Sequence, residues 1–262
     1  KANGKQRPLG IPTLRDRIVQ RAMLMAMEPI WESDFHRLSY GFRPERSVHH
    51  AIRTVRLQLQ DSSETSGRWV IEGDLASYFD TVHHKLLMKC VRKRIRDVRF
   101  LSLLWRFIKA GHVDKGLFRA SSEGVPQGGV ISPLLSNIML NEFDQWLEAK
   151  YLNKKARKDR WYWNNSIKRQ RPIAIRENRQ WLPAVAYCRY ADDFVLIVKG
   201  NRTHAETILK ECRVFLEGGL KLTLNMEKTH VTHVNDGFTF FRAPHHPKTG
   251  GPGYDASSHD NT

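Results

Sequence analysis

Apolar residues fall into two rhythms along the chain, and the switches between them mark out its elements. Leu14, Ile18, Ala22 and Met25 recur at helical spacing and predict a helix from Leu14 to about Glu28. Beyond the turn-rich basic stretch Ser39-Tyr40-Gly41-Phe42-Arg43-Pro44, Ser47 reads as the N-cap of a second helix through Val48, Ile52, Val55 and Leu59. Residues 61–67 are polar and predict a linker. The run from Arg68 to Gly73 predicts a strand that delivers Asp74 at its end. Two helices are expected near 83–95 and 97–109, with Gly111 as a stop. A Gly-rich loop, Gly124 to Gly129, precedes Ser132 and Pro133. Those two predict a cap and first position for a helix marked by Leu135, Ile138, Met139, Glu142, Phe143 and Trp146.

The rhythm then changes to period two. Val185-Ala186-Tyr187-Cys188-Arg189 and Phe194-Val195-Leu196-Ile197-Val198 flank Tyr190-Ala191-Asp192-Asp193. They predict a hairpin with two adjacent carboxylates at its tip. Such carboxylates repel each other unless a cation sits between them, although Asp is also an ordinary turn residue. A helix near 203–216 ends at Gly218-Gly219, and Leu220 to Val234 reads as strand or loop, then strand. Periodicity is lost after Phe241, so 243–262 are expected to be unpacked. Strands and helices mix without a strict βαβ alternation or internal repeat, and the expected class is α+β.

Composition narrows the partners. The 262 residues carry a formal net charge of +16, with 40% hydrophobic residues. That field points to a polyanion, nucleic acid before an anionic membrane surface, and the core is too large for a disordered chain. No long apolar stretch predicts a transmembrane helix, and Lys1-Ala2-Asn3-Gly4-Lys5 lacks both an apolar signal core and an initiating Met. A piece of a longer chain is therefore expected. Cys90, Cys188 and Cys212 are odd in number and widely spaced, which suits a reducing cytosol rather than disulfides or zinc.

Asp74 supplies a third carboxylate. If its strand neighbours the hairpin, three acids meet around one point, as a pair of Mg²⁺ ions requires. The residues at this stage resemble the reverse transcriptases encoded by bacterial group II introns. Tyr190-Ala191-Asp192-Asp193 is similar to that family's signature hairpin, and Arg68 to Val82 to the strand with its first catalytic Asp. Gly4 to Pro12 and Tyr40 to Pro44 resemble its fingers motifs. Gly124-Val125-Pro126-Gln127-Gly128, followed by Ser132 to Asn137, resembles its nucleotide-pocket motif. Leu222 to Thr229 resembles the block after the hairpin. The motifs run in family order from residue 1 to about 241.

The resemblance implies a right-hand polymerase: fingers over 1–67 with parts of 83–120, and a palm over 68–242. It also implies a basic insertion at about 150–180 and a flexible or truncated tail over 243–262, without a thumb. It implies an RNA-directed DNA polymerase joining a dNTP to a primer 3′-hydroxyl through two Mg²⁺ ions, with Mn²⁺ able to stand in. Asp74, Asp192 and Asp193 are the implied catalytic and metal-holding acids, with the Leu75 carbonyl beside them. Lys5, Arg7 and Arg43 are implied triphosphate contacts. Phe79 is implied beneath the incoming sugar, Gln127 and Gly128 in the nucleotide pocket, and Lys228 as a proton donor. Asp80 is expected to cap the following helix. The implied partners are template and intron RNA, primer or target DNA and dNTP, in a bacterial cytosol. No membrane is implied, and a homodimer is left open. Trp161, Tyr162 and Trp163 among basic residues suit RNA stacking or packing on the domain equally. A second function stays open: a maturase-like fragment that grips intron RNA and assists splicing without making DNA.

Overall fold

The computed structural model describes residues 10–60, 68–114, 117–119, 123–126, 128–152, 161–164, 169–172, 184–240 and 243–245. Its centre is a four-stranded antiparallel sheet of β1 (Arg68–Asp74), β6 (Ala184–Tyr190), β7 (Asp193–Lys199) and β8 (His230–His233), in the order β6-β7-β1-β8. Alternate residues of each strand serve opposite faces. Ile71, Tyr187, Phe194, Leu196 and Val198 enter the larger core, whereas Val70, Cys188, Val195 and Ile197 enter a smaller one behind the sheet. Both faces being covered explains why the β7 sequence is a continuous apolar run.

The larger core is closed by α1 (Leu14–Glu32), α4 (His84–Val91), α5 (Val98–Lys109), α6 (Ser132–Leu147) and α7 (Arg202–Val214). The smaller core takes Ala51 and Val55 from α2 (Val48–Gln60), with Val234, Phe238 and Phe240. A short α3 (Tyr78–Thr81) follows β1. Three two-stranded ribbons are also present: β2 (His112–Asp114) with β3 (Leu117–Arg119), β4 (Trp161–Asn164) with β5 (Arg169–Pro172), and β9 (Phe238–Phe240) with β10 (Ala243–His245). The α+β reading holds. None of the described helices is long and apolar enough to cross a membrane. The three cysteines are buried and free.

Several local expectations change. Helix α1 runs through Pro29 to Glu32, because its last turn is anchored by buried Trp31. Its buried residues are Gln20, Met23, Leu24, Met27 and Trp31. The stripe picked out from periodicity faces outward instead: Leu14 is 74% exposed, Ile18 62% and Met25 63%. Two stripes of this helix share the helical period, and spacing alone does not say which one meets α6. Ser132 lies inside the first turn of α6 rather than capping it, and its hydroxyl donates to the Pro126 carbonyl at 2.7 Å. Ala243–His245 form a strand, against the expectation of an unpacked tail, while 246–262 lie outside the described residues. The β4–β5 ribbon lies within the stretch expected to be a basic insertion.

Candidate active site

The sheet register brings the acids together. Asp74 stands directly opposite Asp193 at the shared end of β1 and β7, and Tyr190 opposite Asp193 across the hairpin. Ala191 and Asp192 form the turn. Asp193 therefore opens β7, and Asp192 is the acid at the tip. Leu75 forms an isolated bridge with Leu224. The bonds of that bridge come from neighbours: Asn225 N–H donates to the Asp74 carbonyl at 2.8 Å, and Ala76 N–H to the Thr223 carbonyl at 2.9 Å. The Leu75 carbonyl takes no part in either bond, and its side chain is buried in the core.

The segment after α7 closes on the same acids. Lys228 Nζ lies 2.9 Å from Asp74 Oδ2, and Asn225 Nδ2 donates to the same oxygen at 3.1 Å. A tight turn, with Lys228 N–H donating to the Asn225 carbonyl at 3.0 Å, sets both side chains. Lys228 is 63% exposed and Asp74 only 13%, so the ammonium covers the carboxylate from the solvent side. Lys228 thus pairs across the sheet and not with neighbouring Glu227.

Asp193 is pushed up to about 7. Burial is the main cause, followed by a hydrogen bond with Asp74 and the negative charges of Asp192 and Asp74, and Lys228 opposes them. Asp193 therefore holds its proton more firmly than an isolated Asp would. Among the described residues no group of three His, Cys, Asp or Glu converges in ligand geometry. The donor chemistry nevertheless suits a hard divalent cation: half-buried carboxylate oxygens, crowded enough to retain a proton near neutral pH.

Phe79 stands close by, on α3. Its ring packs edge-on against Phe42 at 6.1 Å between centroids and against Tyr78 at 5.7 Å. Its carbonyl accepts from Val125 N–H at 2.7 Å, and Gly124 N–H donates to the Val82 carbonyl at 2.8 Å. The Gly-rich loop is thereby laid against α3. Gly124 has φ +86°, and a Cβ there would meet the Asp80 carbonyl at 2.8 Å, so only glycine fits. Gly128 has φ +99° and is exposed. Beyond it, Val130 N–H donates to Oε1 of buried Gln20 at 2.8 Å, tying the loop to α1.

Two expected roles are overturned. Arg43 cannot reach a triphosphate, being buried with its guanidinium on Glu32. Its Nε lies 3.0 Å from Glu32 Oε1, and its Nη1 donates to the His36 carbonyl at 2.7 Å and the Ser39 carbonyl at 2.8 Å. It is the buckle of the 36–43 loop. Asp80 lies within α3, and His83 caps α4, its ring nitrogen accepting from Leu86 N–H at 3.3 Å. Lys5, Arg7 and Gln127 lie outside the described residues. Sequence reasoning missed Asn225 and the Arg189–Asp144 pair. A charged residue closing an apolar strand run, as Arg189 does, was the available signal.

This sheet, with acids at the ends of adjacent strands, is the setting in which the family comparison is decisive. The family model described as reverse transcriptase (RNA-dependent DNA polymerase) matches residues 1–247. The chain belongs to the reverse transcriptase family. It is 78% identical over 240 residues to Protein YkfC of Escherichia coli, covering 92% of this chain and 63% of that protein. It is 33% identical over 263 residues to the group II intron-encoded protein LtrA of Lactococcus lactis, covering 89% of this chain and 43% of that protein. A putative COX1/OXI3 intron 2 protein of Saccharomyces cerevisiae is 31% identical over 264 residues, covering 92% of this chain and 30% of that protein. The chain thus spans under two thirds of the length of these relatives. Among solved structures, telomerase from Candida tropicalis in complex with a telomeric RNA fragment superposes with a TM-score of 0.52 at 17% identity, covering 87% of this chain and 35% of that one. That likeness concerns the fold alone.

Proposed function

We propose that this chain carries the catalytic sheet of a group II intron-type reverse transcriptase, extending a primer 3′-hydroxyl with dNTPs on an RNA template. The observation that carries the reading is the strand register: Asp74 faces Asp193 directly, with Asp192 on the adjoining turn. Asp74, Asp192 and Asp193 would hold Mg²⁺ or Mn²⁺, with the Leu75 carbonyl beside them. Such ions activate the attacking hydroxyl and stabilise the leaving pyrophosphate when bound. Asp193 must shed its proton to take a divalent cation, so binding would be linked to pH.

The remaining residues position substrate. Phe79, at the mouth of the Gly-rich loop, would lie under the sugar and exclude a ribose 2′-hydroxyl. Exposed Gly128 would let backbone approach the nucleotide, with Gln127 beside it. Lys5 and Arg7 would meet the triphosphate. Lys228 is a candidate proton donor to pyrophosphate, which requires it to leave Asp74. Template and intron RNA, primer or target DNA and dNTP are the implied partners; a fingers boundary near residue 67 and a bacterial cytosolic setting belong to the same reading.

Primer extension on an RNA template with Mg²⁺ tests it. Extension by the parent chain, abolished in Asp192→Asn, is the expected result. Salt-sensitive RNA binding with no extension would replace the polymerase reading by a maturase-like one.

A further inference from the structure

The acid-bearing turn has an unusual backbone. Ala191 adopts φ +55°, the left-handed region that a residue with a Cβ occupies at a cost. Ala191 is also buried and pressed against Gly41, where a Cβ would lie 2.2 Å from Ala191 N. Something must hold this conformation, and the surrounding bonds identify it. Nη1 of Arg189, two residues earlier, donates to the Ala191 carbonyl at 2.8 Å and to Asn137 Oδ1 at 3.2 Å. The other side of the same guanidinium grips Asp144, Nε to Oδ1 at 2.8 Å and Nη2 to Oδ2 at 2.6 Å. Arg189 is 1% exposed and Asp144 fully buried. Burial works against the guanidinium charge, but Asp144 more than restores it and its pKa is raised.

Three motifs meet at this one side chain. Asn137 and Asp144 belong to α6, which starts just after the Gly-rich loop. Asn137 Nδ2 donates to the Gly41 carbonyl at 2.8 Å, reaching the turn-rich basic loop. The Arg189 backbone pairs with that loop as well: its N–H donates to the Leu38 carbonyl and its carbonyl accepts from Tyr40 N–H, both at 2.9 Å. An ion pair kept only for stability needs no bond to the Ala191 carbonyl. A planar fork with five donors can serve Asp144 and the turn together, which an ammonium cannot.

We propose that Arg189, backed by Asp144 and Asn137, is a positioning residue that fixes the Ala191 backbone and thereby sets where Asp192 and Asp193 project. Its effect on catalysis rests on the polymerase reading; its effect on the turn does not. The bonds of the Arg189 guanidinium go to Asp144, Asn137 and the Ala191 carbonyl and not to Phe79 or Gly128. Loosening it therefore displaces the acids more than the residues proposed to face the nucleotide, and turnover falls while nucleotide affinity holds.

The test uses Arg189→Met/Asp144→Leu, which replaces the buried pair with apolar side chains of similar bulk, because either single change strands a buried charge. Thermal melting, dNTP steady-state kinetics and amide exchange of the 188–194 segment are measured on the full chain. The expected result is a cooperative melt, kcat lower by about tenfold or more with KM for dNTP within about twofold, and faster exchange confined to the turn. Arg189→Lys, which keeps the charge but loses the fork, should fall between. Parental kcat and parental exchange in the folded double variant would overturn the proposal. If the parent does not extend a primer, the polymerase reading fails, and turn exchange alone decides: faster supports the clamp, unchanged refutes it. If the double variant does not fold, Asn137→Ala takes its place. A smaller kcat loss and faster turn exchange then support the clamp, and no change in either overturns it.

Discussion

Asp144 and Asp193 are two aspartates withdrawn from water on either side of the same hairpin, in opposite electrostatic surroundings. Asp144 is fully buried, receives both arms of the Arg189 fork and also accepts from the Tyr187 hydroxyl. Asp193 is placed against Asp74 and Asp192, and Lys228 opposes them. One region satisfies its charge internally; the other crowds like charges together. The contrast separates scaffold from site. A buried acid with a complete partner set is rigid and inert, while a buried acid among other acids is primed to exchange a proton for something else.

The largest effect should come from breaking the satisfied side. Asp144→Ala leaves the Arg189 charge buried and unpaired, and should cost about 3–5 kcal/mol by denaturant melts. A loss under about 1 kcal/mol would mean that the pair is not the closed unit described here. On the other side the sign reverses. The folded chain keeps the Asp193 proton up to about pH 7, whereas the unfolded chain releases it near 4, so between these values the folded state binds more protons. Stability should therefore fall as pH rises through that window, and Asp193→Asn should remove this slope and stabilise the chain at pH 8. An unchanged pH–stability profile in that variant would contradict the crowding of the acids.

Smaller effects sharpen the contrast. Phe79→Val should trim an aromatic contact with Phe42, cost about 1 kcal/mol and admit ribonucleotides in primer extension. Unchanged sugar discrimination would remove Phe79 from the nucleotide site. The smallest effect on stability is expected from Lys228→Gln, within about 1 kcal/mol because the ammonium is largely solvated. In that variant the Asp193 titration near 7 should move higher, since an opposing charge is gone. An unchanged titration would show that Lys228 does not act on Asp193.

Much of this was readable from the sequence because the relevant patterns are local. The apolar runs around Tyr190 to Asp193 specify a hairpin, and the strand ending at Asp74 specifies where the third acid sits. Less readable were features that depend on tertiary choice. The stripe of Leu14, Ile18 and Met25 has the same period as the stripe ending at Trp31, and only packing against α6 decides between them. Arg43 is basic and follows a turn, as a phosphate-binding residue would, yet Glu32 lies one helix end away and captures it. Arg189 and Asp144 are 45 positions apart, and no spacing rule joins them.

The central proposal is that Asp193, held against Asp74, gives up its proton when a divalent cation binds beside the two carboxylates. Carboxyl ¹³C NMR of aspartate-labelled chain, titrated with and without millimolar Mg²⁺, tests it directly. One aspartate should titrate near 7 without the ion and fall by more than about one unit with it, and Asp193→Asn should abolish that titration. An aspartate set that titrates entirely below about 5, or a titration near 7 indifferent to Mg²⁺, would contradict the account.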